Sequence, residues 1–250
     1  MGNILTPNEV QLQKDIKLFL ELLELQTAFN DKTNGECWVN GKTKVDNEID
    51  WFLCIRQEAS ELIDCFPWKH WKDLSAPINW ENAKIEMVDI LHFILSQLKT
   101  FAFNSNMTNE EIITMWLEEP LPSLQWESYT KGIDALKYYS LMEDTAKCAD
   151  TFRQLCFKMD LTFAELRILY LAKNALNVFR QGNGYKDGTY DKMWMKDDKT
   201  EWEDNECLMK IISKQPGLTF DKLLSDLDIE YRTQKVRREH AGTEDTEEDS

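Results

Sequence analysis

The sequence contains few residues that interrupt helices. Glycine occurs nine times and proline six times in 250 residues, and these are the residues that most often break helices. No alternation of strands with helices is visible, which argues against a parallel sheet. The scarcity of helix breakers and a hydrophobic content of 42% together predict an all-α fold with a sizeable core.

Basic residues are also scarce, because 29 Lys and Arg face 45 Asp and Glu and leave a formal net charge of −16. Six acids and no Lys or Arg fall in residues 239 to 250, so we expect an acidic disordered tail there. Residues 1 to 238 still carry −10 (−16 minus −6), and we expect them to form a single domain. A surface this acidic does not attract a phosphate backbone, so no nucleic-acid partner is expected.

Long apolar runs and cysteine motifs are missing as well. No run reaches the roughly 18 residues that a transmembrane helix needs, and the first residues do not show a basic-then-apolar signal segment. The six cysteines have no C-x-x-C spacing, which argues against a zinc site and against a disulfide framework. These absences predict a soluble, intracellular protein with reduced thiols and no membrane partner.

Apolar residues recur at the helical period along most of the chain. The predicted helices span residues 9 to 29, 48 to 65, 80 to 103, 109 to 118, 128 to 158, 161 to 181, 203 to 214 and 219 to 231. Residues 31 to 47 are rich in Asn, Asp, Gly, Thr and Lys and are predicted to form a loop. Thr162, with Glu165 three residues later, predicts a capping box at the start of the helix from 161.

Two pairs of acids, Glu58 with Glu61 and Glu86 with Asp89, are the most informative feature of the sequence. Residues three apart lie on one face of a helix, and the 24 residues between the pairs fit a helix end, a turn and an antiparallel partner helix. Two facing helices would bring four carboxylates into one mostly apolar groove. Such a cluster is costly to desolvate unless a cation neutralises it, and carboxylate oxygens suit Mg²⁺ or Mn²⁺. The pattern predicts a magnesium-dependent reaction on phosphates.

Acidic pairs at this spacing more commonly lie on a solvated helix face, but here both pairs lie among apolar residues, so we favour the metal groove. Asp89-x-x-His92 is the one acid-x-x-His motif, whereas a di-iron carboxylate bundle needs Glu-x-x-His twice. We interpret His92 as a hydrogen-bonding group beside the groove, with an ordinary core histidine as the alternative. Among the aromatic residues that could stack on a base, Phe93 has the context that favours the site, because it is next to His92.

A basic and glycine-rich segment runs from Lys173 to Lys192. Lys173, Asn177 and Arg180 recur at four and then three residues and share one helical face. Arg180 can offer a bidentate fork to phosphate oxygens and Lys173 a mobile charge, while the glycines let backbone N–H groups approach an anion. The segment is interpreted as phosphate-binding, and surface cations that pair with the abundant acids are the alternative.

Together these motifs resemble the all-α dimeric dUTP pyrophosphatases, or dUTPases, which belong to the wider MazG-like group marked by E-x-x-E followed by E-x-x-D. The resemblance covers residues 20 to 100 and 165 to 210. It rests on the segments LELQTAFND (23–31), EASELID (58–64), PWKHWK (67–72), KIEMVDILHF (84–93) and the run from 173 to 190. It implies a MazG-like helical bundle with a carboxylate-lined groove, assembled as a homodimer.

The resemblance further implies a hydrolase that converts dUTP, and also dUDP, to dUMP with Mg²⁺. By this resemblance, the metal ligands are Glu58, Glu61, Glu86 and Asp89, and Glu58 also orients the attacking water. The base and deoxyribose pocket is implied to comprise Gln26, Asn30, His92 and Phe93. The phosphates are implied to bind Lys173, Asn177, Arg180, Tyr185 and Lys192. Gln57 stands where some members of the family carry a third glutamate, so the metal set has four or five acids.

Two alternatives stay open on the sequence alone. A related pyrophosphatase that acts on dCTP or on a modified nucleotide would keep the chemistry and change the base. A non-enzymatic acidic helical interaction protein, whose acids only solvate its helices or bind Ca²⁺, would explain neither the basic segment from Lys173 nor its glycines.

Overall fold

The structure is a computed structural model that describes residues 6–120, 126–197, 200–214 and 219–247. It divides into two compact units, Met1–Arg167 and Ile168–Ser250. Helices account for most of the described residues. The strands among the described residues are two segments of three residues each. The predicted all-α fold is therefore confirmed, while a single domain over residues 1 to 238 stays a prediction.

The first unit is built around a long central helix. Its helices are α1 (Pro7–Asn34), α2 (Trp51–Asp64), α3 (Trp80–Asn104), α4 (Asn109–Glu118), α5 (Tyr129–Leu141) and α6 (Thr145–Lys158), and α7 (Phe163–Gly182) begins in this unit. Helix α3 contacts α1, α2, α4 and α6 and buries residues on most of its circumference, as expected for a helix surrounded by others.

Helices α2 and α3 form the antiparallel pair that the sequence predicts. The N–H of Asn79, just before α3, donates to the carbonyl of Cys65, just after α2, at 3.0 Å. Their starts are fixed by caps: Asp50 accepts from the N–H of Leu53 at 2.8 Å, and Asn79 accepts from the N–H of Asn82 at 3.2 Å. Caps of this type stabilise a helix by about 1 kcal/mol each.

The single helix predicted over residues 128 to 158 is wrong, because the structure places two helices there, α5 and α6. Glu143 takes the left-handed conformation with φ +55°, and the N–H of Asp144 donates to the carbonyl of Tyr139 at 3.0 Å. This is the closure that usually ends a helix at glycine. The Asp144 side chain then caps α6 by accepting from the N–H of Lys147 at 2.9 Å.

Other sequence predictions differ at helix ends. Helix α1 extends to Asn34, and a short 3-10 helix (Trp38–Asn40) lies in the predicted loop. The hydroxyl of Thr162 accepts from the N–H of Glu165 at 3.2 Å, which confirms the Thr162 half of the predicted capping box. The Glu165 carboxylate accepts instead from Nζ of Lys84 at 2.6 Å.

The second unit contains the rest of α7, a two-stranded hairpin and two helices. The elements are β1 (Met193–Met195), β2 (Glu201–Glu203), α8 (Asp204–Lys214) and α9 (Phe220–Glu247). The strands are antiparallel, with Trp194 opposite Trp202. Both tryptophans belong to a core cluster with Leu176, Phe179 and Tyr231. The sequence prediction missed the hairpin, because each strand is only three residues long.

The backbone of α9 continues to Glu247, well past the predicted end at residue 231 and into the range predicted to be a disordered tail. Residues 248 to 250 of that tail lie outside the described residues, and the tail stays a prediction. Among the helices that the structure describes, none combines the length and the apolar character needed to cross a bilayer.

Candidate functional site

Three carboxylates converge between α2 and α3. One oxygen each of Glu58, Glu86 and Asp89 lies within 4.8 Å of the others. Glu86 is only 6% exposed, and the other two are half-buried. Negative groups this close repel one another, and the repulsion grows as water is removed. The donor set therefore fits a divalent cation that prefers oxygen ligands, such as Mg²⁺ or Mn²⁺.

Asn82, a residue that the sequence analysis did not single out, holds Glu86 in place. Its Nδ2 donates to Glu86 Oε1 at 3.0 Å from one turn earlier on α3. The same nitrogen lies 3.2 Å from the sulfur of Cys65, just after α2. Asn82 thus ties one carboxylate of the cluster to both helices, and its i, i+4 spacing to Glu86 was the available signal.

Glu61 lies outside the three-acid group in this structure. Its side chain is exposed, and its carboxylate accepts from Nε2 of Gln57 at 3.0 Å. The structure therefore brings together three of the four predicted metal ligands. The role of Glu61 as a fourth ligand stays a prediction.

Two thiols near the cluster experience burial and the carboxylate charges. Burial, with smaller contributions from Asp50 and Glu58, raises the pKa of Cys54 to about 11. Burial also raises the pKa of Cys65, and the carboxylate of Glu86 adds to that increase. Burial and the carboxylate charges therefore keep both thiols protonated near neutral pH in the metal-free protein.

Three of the four residues predicted to bind the base meet in a buried network one turn along α3. Oε1 of Gln26 lies 2.6 Å from Nδ1 of His92, and Nε2 of Gln26 donates to Oδ1 of Asn30 at 3.1 Å. The centre of the network is Ser96, which sequence reasoning missed. Its hydroxyl accepts from Nε2 of Gln26 at 3.1 Å and from Nδ2 of Asn30 at 2.9 Å. All four residues are at least 95% buried.

Phe93, the fourth residue of the predicted pocket, is fixed by aromatic contacts. Its ring stacks on Trp51 with centroids 6.0 Å apart and planes inclined by 28°. Trp51 packs edge-to-face on Trp38, whose indole N–H donates to Asp31 at 2.9 Å. Trp38 and Trp51 are buried, as expected for core residues, while Phe93 is half-buried.

In the second unit, Arg180 forms a buried ion pair. Its Nε and Nη2 donate to the two carboxylate oxygens of Asp204 at 2.8 and 2.7 Å. Arg180 is 8% exposed and Asp204 1%. The hydroxyl of Tyr190 also donates to Asp204, at 2.8 Å. Burial, and next the Asp204 carboxylate, raises the pKa of Tyr190, which keeps this hydroxyl protonated as a donor.

The other residues on the predicted phosphate-binding face converge on the same place. Nζ of Lys173 donates to Oδ1 of Asn205 at 2.8 Å, and Nη1 of Arg180 donates to Asn177 at 3.3 Å. The bidentate fork expected from Arg180 is thus directed at a carboxylate of the chain itself, Asp204. Neither Asp204 nor Asn205 carries a sequence signal that distinguishes it from the other acids and amides. Phosphate binding by this face stays a prediction.

The glycine-rich loop closes on itself. The N–H groups of Asp187 and Thr189 donate to the carbonyl of Gly184 at 3.1 and 3.0 Å, and that of Tyr185 donates to the carbonyl of Arg180 at 3.1 Å. Gly184 has φ +90°, and a Cβ there would lie 2.0 Å from the hydroxyl of Thr189. Closure of the loop therefore explains why a glycine stands at position 184. It also engages these N–H groups, which the sequence predicts to approach an anion.

Tyr185 and Lys192, the remaining predicted phosphate ligands, are exposed. Nζ of Lys192 lies 5.5 Å from the centre of the Tyr185 ring, a cation–π distance. The structure thus brings these two residues together at the surface of the second unit.

A sequence model of the family described as dUTPase matches residues 18–185. The match covers more than half of the chain and includes the three carboxylates, the Ser96 network and the segment from Lys173 to Tyr185. Lys192 and Asp204 lie beyond it. The comparison with curated proteins finds no match.

Proposed function

The chain belongs to the dUTPase family, which hydrolyses dUTP, and we propose that it converts both dUTP and dUDP to dUMP in a reaction that depends on Mg²⁺. With dUTP, one water is consumed, one phosphoanhydride bond is broken, and dUMP and pyrophosphate are released. The reaction lowers the dUTP available for DNA synthesis and supplies dUMP. The family match gives no support to the alternative of a non-enzymatic interaction protein.

The convergence of Glu58, Glu86 and Asp89 is the observation that carries the proposal. Together with Glu61 they would hold Mg²⁺, with Mn²⁺ as a substitute. A bound ion of this kind neutralises phosphate charge and polarises phosphoryl oxygens. Glu58 is the acid of the cluster that α2 contributes, and we assign it the additional role of orienting and deprotonating the attacking water.

The residues of the Ser96 network would bind the base. Side-chain amides offer both donors and acceptors, which match the carbonyls and the N–H of uracil. Gln26, Asn30 and His92 already lie in one buried network, and the half-buried ring of Phe93 offers a stacking surface. We assign these four residues to the base and deoxyribose pocket.

The phosphates would bind the second-unit set of Lys173, Asn177, Arg180, Tyr185 and Lys192. Three of these side chains already contact one another or the same partner, Asn205. A nucleotide phosphate would share Arg180 with Asp204, because the guanidinium has five N–H donors and two of them point to that carboxylate.

A panel of nucleotides tests the reaction and the base. We expect that dUTP yields dUMP and pyrophosphate, that dUDP yields dUMP and phosphate, and that dCTP and dTTP react much more slowly, with products identified by chromatography. Activity is expected with Mg²⁺ or Mn²⁺ and should vanish after exhaustive chelation. Undiminished activity after chelation would contradict the metal site. Faster turnover of dCTP than of dUTP would identify dCTP, the alternative, as the substrate.

Glu58→Gln tests the assignment of the base that activates water. The variant should keep its fold and lose at least about 10² in kcat, the usual scale for a positioned general base. Glu81→Gln, an exposed acid on α3, is the matched control and should keep full activity. A Glu58→Gln variant within a few-fold of the parent would move the role to another acid.

We also propose that the protein is a homodimer formed through its helical body. The first unit exposes large apolar side chains on three helices: Phe103 on α3 is 50% exposed, Leu141 on α5 66% and Phe157 on α6 70%. Exposed apolar side chains on neighbouring helices support an interface with a second copy.

A further inference from the structure

We propose that Ser96 is a positioning residue that fixes the direction of the hydrogen bonds among Gln26, Asn30 and His92 and thereby selects uracil over cytosine. The inference rests on the proposed function, because it takes the base to bind at this network. Ser96 itself does not contact the base in this proposal. It acts through the two amides whose orientation it determines.

The donor-to-acceptor direction of these hydrogen bonds is set by a backbone carbonyl. The hydroxyl of Ser96 donates to the carbonyl oxygen of His92 at 2.8 Å, one turn earlier on α3. A carbonyl can only accept, so the single hydroxyl hydrogen of Ser96 is committed to this bond. Ser96 is 0% exposed, so bulk water does not compete for the hydroxyl. Towards α1, the oxygen of Ser96 is left as an acceptor.

The two amides of α1 must therefore turn their nitrogens towards Ser96. Nδ2 of Asn30 and Nε2 of Gln26 lie 2.9 and 3.1 Å from its oxygen. The oxygen and nitrogen of an amide differ little in size, so sterics alone does not choose between its two orientations. The acceptor at Ser96 makes that choice for both amides.

The same direction continues to the imidazole. With its nitrogen towards Ser96 and Asn30, Gln26 turns Oε1 to Nδ1 of His92 at 2.6 Å. An amide oxygen can only accept, so Nδ1 of His92 carries a hydrogen. One backbone carbonyl thus determines the orientation of two amides and the protonated nitrogen of one histidine.

A fixed amide distinguishes bases that a rotating amide accepts equally. Uracil presents an N–H donor beside carbonyl acceptors, whereas cytosine presents a ring-nitrogen acceptor beside an amino donor. An amide that can flip by 180° satisfies either edge, but a fixed one opposes donor to donor when the wrong base enters. In the network bonds, Asn30 uses one of its two N–H groups and one oxygen lone pair. A base bound at this network would meet the second donor and the second lone pair of Asn30 in one fixed order.

Ser96→Ala tests this inference through the ratio of kcat/KM for dUTP to that for dCTP. We expect the ratio to fall at least about tenfold, since buried polar groups that are fixed in place give the strongest discrimination. Most of the change should be a higher KM for dUTP and a faster reaction with dCTP. A partly inactive preparation lowers both values of kcat/KM equally, so a merely structural role leaves the ratio unchanged and would overturn the proposal.

Thr100→Val is the matched control. Thr100 lies one turn beyond Ser96 on α3 and makes the same kind of bond, from its hydroxyl to the carbonyl four residues earlier, at 3.0 Å. Its hydroxyl bonds to none of the three network side chains in the described residues, so the ratio should stay that of the parent. Ser96→Thr retains a hydroxyl and should restore the ratio. Equal losses in Ser96→Ala and Thr100→Val would also overturn the proposal.

The direction of the network can be measured without any nucleotide. The chain contains three histidines, so ¹⁵N NMR of the imidazoles, assigned with His70→Gln and His240→Gln variants, identifies the protonated nitrogen of His92. We expect Nδ1 to carry the hydrogen at a pH where the ring is neutral. Protonation at Nε2 alone would refute the inference even for an active dUTPase. Conversely, if the protein does not turn over dUTP but Nδ1 of His92 carries the hydrogen, the proposed function is refuted and the direction of the network bonds still holds.

Discussion

The buried ion pair between Arg180 and Asp204 should contribute strongly to the stability of the second unit. The Asp204 side chain is almost completely buried, at 1% exposed, and both guanidinium contacts are short, at 2.7 and 2.8 Å. Removing one partner of such a pair leaves a buried charge without compensation and costs about 3–5 kcal/mol. We therefore expect Asp204→Asn to lower the free energy of unfolding by that amount.

Urea unfolding measures the effect, because Trp194 and Trp202 lie in the core of this unit and report its loss by fluorescence. Asp228→Asn is the matched control, since Asp228 pairs with Arg232 at 2.9 Å on the surface of α9. That pair is largely exposed, so its loss should change the free energy of unfolding by at most about 1 kcal/mol. A loss below about 1 kcal/mol for Asp204→Asn would refute the argument from burial.

Replacing both members of the pair separates stability from phosphate binding. Arg180→Met combined with Asp204→Leu removes both charges and fills the space with apolar atoms, an exchange that is often neutral or stabilising. A folded double variant should bind dUTP much more weakly and deoxyuridine as well as the parent does, because the guanidinium is assigned to phosphates. Unchanged affinity for dUTP would remove Arg180 from the phosphate site.

Three further predictions concern the first unit and the assembly. Asn82→Ala should raise the Mg²⁺ concentration for half-maximal activity by about 10–100-fold, because it frees a proposed ligand, Glu86, from its hydrogen bond; an unchanged magnesium titration would contradict that role. The half-buried Cys54, with its pKa raised to about 11, is almost entirely a thiol at neutral or mildly alkaline pH and becomes a thiolate only as the pH approaches that value. A thiol reagent should therefore modify Cys54 more slowly than the exposed Cys37, and equal rates would refute the half-buried environment assigned to Cys54. A chain ending at Glu239 should still show a two-chain mass by light scattering, and a fully active monomer would contradict the proposed homodimer.

Sequence reasoning located the helices of the carboxylate site well because their signals are local. The prediction of 80 to 103 for α3 matches Trp80–Asn104, and the caps Asp50 and Asn79 lie next to the apolar runs that they start. The break at Glu143, in contrast, has no local sequence signal. It uses the backbone closure that glycine normally provides, but the residue there is a glutamate.

Partners across long sequence separations could not be read from the chain. Lys173 and Arg180 were recognised as a cationic face, but their contacts, Asn205 and Asp204, lie 32 and 24 residues further on. The chain contains 45 acids, and an acid that pairs with a buried arginine has no local pattern that separates it from the others. Only the packing of α7 against the start of α8 identifies Asp204.

Residues proposed to bind the metal are easier to recognise in the sequence than residues proposed to orient other side chains, and the reason is physical. Carboxylates in an apolar helix, as at Glu86 and Asp89, are costly to bury without a counter-charge, so their presence in the sequence already demands an explanation. A serine such as Ser96 satisfies itself by bonding to the carbonyl four residues earlier and is unremarkable in any helix. Its proposed influence on the base arises only when α1 places two amides against its oxygen. Specificity of this kind therefore depends on the pairing of helices and has to be sought in the structure.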